Sequence, residues 1–405
     1  MTSPAPRAKG DYRLGGGLLA ALGYVSMAGS LSTDLYLPSF PSIAQDLGVG
    51  ASAVQLTLTA FLAGSAVGQL FIGALSDALG RRRVLIAALA LFTVCGFAAA
   101  ASPTLAVLIG VRAVQGFAGA AGAVLARAVV ADLVSGERAV RAFSTLFIMI
   151  ALGPTIASPL GALLTGVGGW RLALLGLAVF ATGMLVVAIL FIPESMPPNE
   201  RHPLRVGALA RNVGRLVRNP TYISYAISYA SGYAALMVYI SSSSFIVQGV
   251  LDVTPFGYAL TFSLSSIAVM LGAWSSGRIA RARGATTTMR VGQVVTLLGA
   301  SATALFASTG TLVLGTYLPS VFAVAVGCGI VMSSASALAI GHAVAAAGAG
   351  SALLGFLQFL FGALASPLGG TLGTDTAVPA GVSMTAFALT GLAAGFVATR
   401  RRTAA

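Results

Sequence analysis

Charged residues, prolines and glycine clusters cut the chain into twelve apolar runs, near 14–37, 52–76, 83–101, 104–127, 140–164, 171–192, 220–246, 255–277, 287–307, 312–336, 350–371 and 378–399. Each is close to the roughly 20 residues that carry a helix across a bilayer core. Backbone N–H and C=O groups in hydrocarbon must bond within their own segment, so run length makes these runs helices where periodicity alone would not. The expected fold is an all-α integral membrane protein with twelve transmembrane helices. The longest polar stretch, "PESMPPNERHPLRVGALARNVGRLVRN" at 193–219, divides them six and six. It separates an N-terminal bundle over 1–192 from a C-terminal bundle over 220–405 and forms a cytoplasmic linker between them.

The two halves resemble each other. "ASPLG" stands at 157–161 and again at 365–369, late in the fifth and eleventh runs, and "GALSDALG" at 73–80 has a weak counterpart in "GRIARARG" at 277–284. The offsets, 208 and 204, agree on about half the chain. This predicts two six-helix bundles related by a pseudo-two-fold axis, an architecture in which transporters place a substrate site between the halves near the midplane.

Composition agrees: 57% of residues are hydrophobic and 8% charged, with mean hydropathy +0.93. A soluble surface needs roughly 25% charged residues. The net charge of +13 would suit nucleic acid, but its distribution excludes that partner. Twenty of 23 Lys and Arg fall in the tails and alternate loops: Arg7, Lys9, Arg13, Arg81 to Arg83, Arg138, Arg141, Arg201, Arg205, Arg211, Arg215, Arg218, Arg278, Arg281, Arg283, Arg290 and Arg400 to Arg402. Arg127 ends the fourth run on the same side; the opposite loops hold Arg171 beside Asp46, Asp252 and Asp375. This positive-inside bias predicts cytoplasmic termini, with anionic lipid headgroups as contacts. The first run is too long for a signal-peptide core and lacks an A-x-A site, so it is expected to remain as a span. Cys95 and Cys328 read as small buried hydrophobes, and His202 and His342 are too far apart to form a metal site.

Four segments resemble a known family. "GALSDALGRRR" (73–83) resembles the signature loop of the major facilitator superfamily, G-x-L-x-D-x-x-G-R-R/K, through Gly73, Leu75, Asp77, Gly80, Arg81 and Arg82, with Ala78 where a basic residue is common. "RAVQGFAGAAG" (112–122) resembles the span 4 motif of drug:proton antiporters through Arg112, Gln115 and Gly116. "LSTDLYLPSFPSIAQDLGV" (31–49) is similar to the span 1 motif of Bcr/CflA-like bicyclomycin and chloramphenicol exporters. The antiporter motif of span 5, G-x-x-x-G-P-x-x-G-G, is kept at Gly153 and Pro154, but Met149, Ala157 and Ser158 replace its other glycines.

Physical reasoning gives each segment a role. Gly73 allows close helix approach, Gly80 a tight turn, and Asp77 an ion pair or helix cap weak enough to break in every cycle, about 0.3–1 kcal/mol. Arg81 and Arg82 complete this candidate conformational switch. In span 5, Pro154 and Pro159 each remove a backbone bond and are expected to kink or loosen the helix beside Gly153. Arg112 lies eight residues into its span, roughly 12 Å deep, where an arginine needs a partner or an aqueous cavity. Asp34, about 6 Å below Pro38, is the carboxylate at comparable depth. It either caps the outer end of its helix or titrates. The resemblance favours titration, with Arg112 tuning it directly or through Gln115. Desolvation raises a carboxylate's pKa and a cation lowers it, so a group between those effects can load and release protons.

For substrate, Tyr222, Tyr225, Tyr229 and Tyr233 share one helical face in "TYISYAISYASGYAALMVY" (221–239). Tyrosines offer an apolar wall with hydroxyls, and helix packing is the equal alternative. Tyr222 reads as an interfacial anchor; Tyr36, Phe61, Gln115, Phe262, Phe356 and Phe359 join Tyr225, Tyr229 and Tyr233 as candidates. The resemblance implies a monomeric proton-coupled exporter of small amphipathic drugs in a bacterial inner membrane, driven by the proton gradient without a cofactor. Proton-coupled uptake is the alternative. An enzyme lacks a catalytic cluster or ATP-binding loop, and a channel lacks a selectivity ring.

Overall fold

The computed structural model describes residues 15–134, 136–201, 206–343, 347–370 and 376–402. Arg7, Lys9, Arg13, His202, Arg205 and Asp375 lie outside them. Among the described residues the secondary structure is helical, without strands.

The first crossing is built in pieces: α1 (Gly16–Ser26), α2 (Ala28–Asp34), a 3-10 turn (Leu37–Ser39) and α3 (Phe40–Asp46). Together they form a 31-residue pass, Gly16–Asp46. It continues past position 37, where the apolar run was expected to end. Pro38 and Pro41 each occupy a first turn, where a missing N–H leaves no bond unmade. Then follow α4 (Ala51–Leu79), α5 (Arg81–Ala100), α6 (Leu105–Leu133) and α7 (Gly136–Phe191).

In α7, the apolar stretch Arg141–Phe191 has 51 residues, about 76 Å of helix and more than twice a bilayer core. It keeps helical φ/ψ through Pro154 and Pro159, and the break at Gly168 (φ −144°, ψ 22°) and Gly169 (φ 72°, ψ −174°) falls in the gap expected between the fifth and sixth runs. The positive φ suits glycine, and the chain reverses there. Among the described residues, eleven apolar helices therefore make twelve crossings.

The linker contains α8 (Val206–Val217). The second half comprises α9 (Pro220–Phe245), α10 (Pro255–Arg283), α11 (Ala285–Ser308), α12 (Leu314–Gly341), α13 (Ala347–Ala365) and α14 (Val378–Arg402). One crossing motif appears twice. A Cβ on Gly64 would strike the Ala113 carbonyl, and one on Gly116 the Phe61 carbonyl, where α4 meets α6. In the second half Gly272 faces the Val326 carbonyl and Gly329 the Val269 carbonyl, where α10 meets α12. Each residue of the first pair of helices finds its equivalent 208 or 213 positions later. Backbones in such contact leave no space for a side chain, which is how membrane helices gain packing without a hydrophobic drive. Gly73, expected to serve this purpose, meets Val124 at an ordinary 3.9 Å.

The hydrogen bonds that cross between halves, among the described residues, lie toward the end away from the termini. Gln55 Nε2 donates to the Ser241 carbonyl (3.0 Å), Gln248 Nε2 to that of Pro38 (3.2 Å), Ser263 Oγ to that of Thr155 (3.1 Å), and Ser52 Oγ to that of Gly370. Phe40 and Phe245 pack there with ring centroids 5.9 Å apart. The two bundles meet and close at this far end.

Candidate functional site

The break between α2 and the 3-10 turn sets the site. Asp34 ends α2 and is 4% exposed, twelve residues, or about 18 Å of helix, from the end of its span. Its carboxylate accepts from Thr33 Oγ1 at 2.9 Å. A cap would accept a backbone N–H at a helix N-terminus; Asp34 stands at a C-terminus and has no such bond among those described. Just beyond it the segment meets the second half, where the Pro38 carbonyl accepts from Gln248 and Phe40 packs on Phe245, so Asp34 stands beside the junction between the bundles.

Arg112 lies fully buried on α6. One guanidinium nitrogen donates to Ser32 Oγ (2.8 Å) and Gln115 Oε1 (2.7 Å), the other to the Ser32 carbonyl (2.8 Å). The group is sandwiched between Tyr36 and Phe61, 4.5 and 4.4 Å from their ring centroids. Desolvated cation–π contacts of this kind are worth about 2 kcal/mol. No ion pair joins Arg112 to Asp34; the arginine instead grips Ser32, two residues earlier on the same short helix. Tyr36, Phe61 and Gln115, proposed as substrate contacts, are buried and form the enclosure of Arg112.

The tyrosines of α9 separate by depth. Tyr222 donates to the Gly350 carbonyl at 2.7 Å, while Tyr225 packs beside His342. Tyr229 donates to Gln358 Oε1 at 2.7 Å, and Tyr233 meets Phe359 edge-on at 5.7 Å. Phe356 packs at the margin of the core that holds Tyr225. Phe262 belongs to another group, which sequence reasoning missed: Tyr239 donates to Ser265 Oγ (2.8 Å), Tyr258 lies 3.1 Å from Ser243 Oγ, and both rings adjoin Phe262. Nearby, Tyr317 is buried with no hydrogen-bond partner for its hydroxyl among the described residues. The position of Tyr258, one turn before Phe262, was the available signal.

The signature loop forms a network at the end that carries the termini. Asp77, 46% exposed, pairs with Arg81 one turn on. Arg81 also bonds Asp132 (3.1 Å) and Ser76 (2.6 Å). Its backbone N–H donates to Glu194 (2.8 Å), and Ser195 donates to Asp132 (2.8 Å). Arg82 donates to the carbonyls of Ile192 (2.9 Å) and Ile189 (2.7 Å). Gly80 turns at φ 99°, and a Cβ there would strike Glu194. Asp132, Glu194 and Ser195 were not anticipated, though "PES" directly follows a span. In span 5, Gly153 backs onto Ser30 and Gly161 onto the Leu35 carbonyl, which holds α7 against the segment carrying Asp34. No group of three or more His, Cys, Asp or Glu able to hold a metal ion exists among the described residues.

Residues 21–367 match the model of the Major Facilitator Superfamily. An uncharacterised MFS-type transporter, YdgK of Bacillus subtilis, is 33% identical over 94% of this chain and 95% of its own. The bicyclomycin resistance protein homolog of Haemophilus influenzae is 28% identical over 89% and 90%. The chloramphenicol resistance protein of Pseudomonas aeruginosa is 32% identical over 67% and 64%. A bacterial homolog of the lysosomal transporter Spinster, solved inward-facing and unoccupied, superposes with TM-score 0.74 at 14% identity over 95% and 96% of the two chains. A variant of the nucleoside transporter NupG gives 0.71 at 17% over 95% and 98%.

Proposed function

The chain belongs to the Major Facilitator Superfamily, in the branch that holds the bicyclomycin and chloramphenicol resistance proteins, and from that premise we propose that it is a proton-coupled antiporter exporting small amphipathic drugs. It is a multi-pass membrane transporter and not an enzyme. The observation that carries the proposal is Asp34, a buried carboxylate without a cation partner among the described residues, beside the junction of the halves. A charge so placed costs several kcal/mol unless it is paired or neutralised, so protonation is the natural means of carrying it through a conformational change. Arg112 holds Ser32 and thereby positions the short helix that ends in Asp34. The opposing wall of Tyr233, Tyr239, Tyr258, Phe262 and Tyr317 offers rings and hydroxyls to a drug-sized ligand, as such sites require.

In this reading the termini are cytoplasmic, the membrane is a bacterial inner membrane, and the closed far end faces outward. The Asp77–Arg81–Asp132 network is the switch released as the halves rock, and the protein works as a monomer. One proton per cycle supplies about 1.4 kcal/mol per pH unit, and any net charge moved about 2.3 kcal/mol per 100 mV. Proton-coupled uptake is the second reading, favoured by the departures at Met149, Ala157 and Ser158 from the antiporter pattern. The test is a drug-susceptibility panel in a host lacking its own exporters, followed by reconstitution. Export requires added drug to release protons from loaded vesicles; substrate and proton moving in the same direction decides for uptake.

A further inference from the structure

The termini-bearing end of the second half is positively charged without internal compensation. Beyond Arg201 the sequence holds eleven arginines and two acidic residues, Asp252 and Asp375. Asp252 sits at the opposite end, between α9 and α10, and Asp375 falls outside the described residues. At the same end of the first half, Arg81 is engaged by Asp77 and Asp132, and Arg201 at the linker by Glu194.

On α10 the lipid-facing side runs through exposed Met270 and Leu271 to Trp274, which is 62% exposed. One turn further, the Arg278 guanidinium stacks 3.5 Å from the indole centroid, and Arg281 follows on the same face, also exposed. Tryptophan marks the depth where hydrocarbon gives way to headgroups, so the stacked arginine stands at phosphate level. Arginines three apart are neighbours on a helix, and their planar forks match phosphate oxygens. At the same end of the molecule, α8 buries Leu216 against the core of the second half, leaving Arg211 and Arg215 exposed.

We propose that this end of the second half binds anionic phospholipid, its phosphate held by Arg278 and Arg281 above Trp274. The bilayer then grips the second half through this site as well as through its apolar surface. The occupant is a membrane lipid: the site continues an apolar, lipid-facing helix surface, which a soluble phosphate or an acidic macromolecule would leave uncovered.

The chain has two tryptophans, and Trp170 lies at the far end beside Asp46. In full-length protein carrying Trp170→Phe, Trp274 is the sole indole reporter. Reconstituted into vesicles, it should be quenched several-fold more effectively by brominated phosphatidylglycerol than by brominated phosphatidylcholine. The preference should shrink as salt screens it, vanish in Arg278→Gln/Arg281→Gln, persist in Arg278→Lys/Arg281→Lys, and be unmoved by Arg171→Gln. Equal quenching by both lipids before substitution, or a preference surviving in the glutamine variant, overturns the proposal. So does displacement of the lipid by free glycerol phosphate, or by RNA or an acidic peptide at comparable charge concentration, which would assign the patch to a soluble partner.

Discussion

Asp34 and Arg112 share one short segment but not an ion pair, and that separation makes their substitutions distinguishable. Asp34→Asn nearly preserves volume and can still accept from Thr33. If the carboxylate carries the coupled proton, the variant should exchange drug down its gradient yet fail to accumulate it under a pH gradient. Proteoliposome uptake measured with and without the gradient tests this, and accumulation at the wild-type level would remove Asp34 from the coupling step. Arg112→Lys keeps the charge but loses the fork that reaches both Ser32 and Gln115 and the plane that stacks on Tyr36 and Phe61. It should cost about 1–3 kcal/mol, since buried donors and acceptors are left unmatched. The readout is a lower thermal midpoint together with loss of transport. A variant with unchanged midpoint and transport would show that charge alone suffices. Both residues were legible in the sequence because a charge deep in an apolar run is costly enough to demand explanation. Of the partners of Arg112, Gln115 was legible through its motif, but Ser32 was not, because it is an ordinary small polar residue until the fold brings α6 against it.

Among the helices, run length carried most of the architecture, and its errors were at prolines. "LPSFP" reads as the end of a span, yet each proline sits in a first turn and the pass continues to Asp46. Conversely, Pro154 and Pro159 are accommodated inside α7, and the chain reverses at Gly168 and Gly169, in the gap that run length left between the fifth and sixth runs. Glycines were equally ambiguous from sequence alone: Gly73 belongs to a recognisable motif but has room, whereas Gly64 and Gly272 carry no motif and have none. Gly73→Ala should therefore leave the thermal midpoint almost unchanged. Gly64→Ala and Gly272→Ala should each lower it, by a penalty in the 1–3 kcal/mol range typical of overpacking, because the added carbon lands on a carbonyl of the crossing helix. Equal midpoints for all three variants would mean that these crossings relax without cost.

For the molecule as a whole, alternate-loop charge set the expected orientation, and single cysteines test it. In a Cys95→Ser/Cys328→Ser background, Asp252→Cys and Thr311→Cys are exposed at the far end and should react with an impermeant thiol reagent applied outside intact cells. Arg281→Cys, exposed at the other end, should react only after lysis, and the reverse pattern would invert the orientation. The far end, where Gln55 bonds the Ser241 carbonyl and Ser52 that of Gly370, could not be foreseen, since its residues are polar, common and some 190 to 320 positions apart in the chain. It also makes the strongest mechanical demand. A site near the midplane can release its ligand outward only if this end parts. Joining Ser52→Cys to Gly370→Cys by oxidation, where a Cβ on Gly370 would stand 3.1 Å from Ser52 Oγ, should therefore abolish export while leaving binding from the termini-bearing side intact. Reductant should restore transport to the level of the unoxidised variant. If the cross-linked protein, verified as such by its altered mobility, exports drug at that same level, the closed end is not a gate and the path out must lie elsewhere in the bundle.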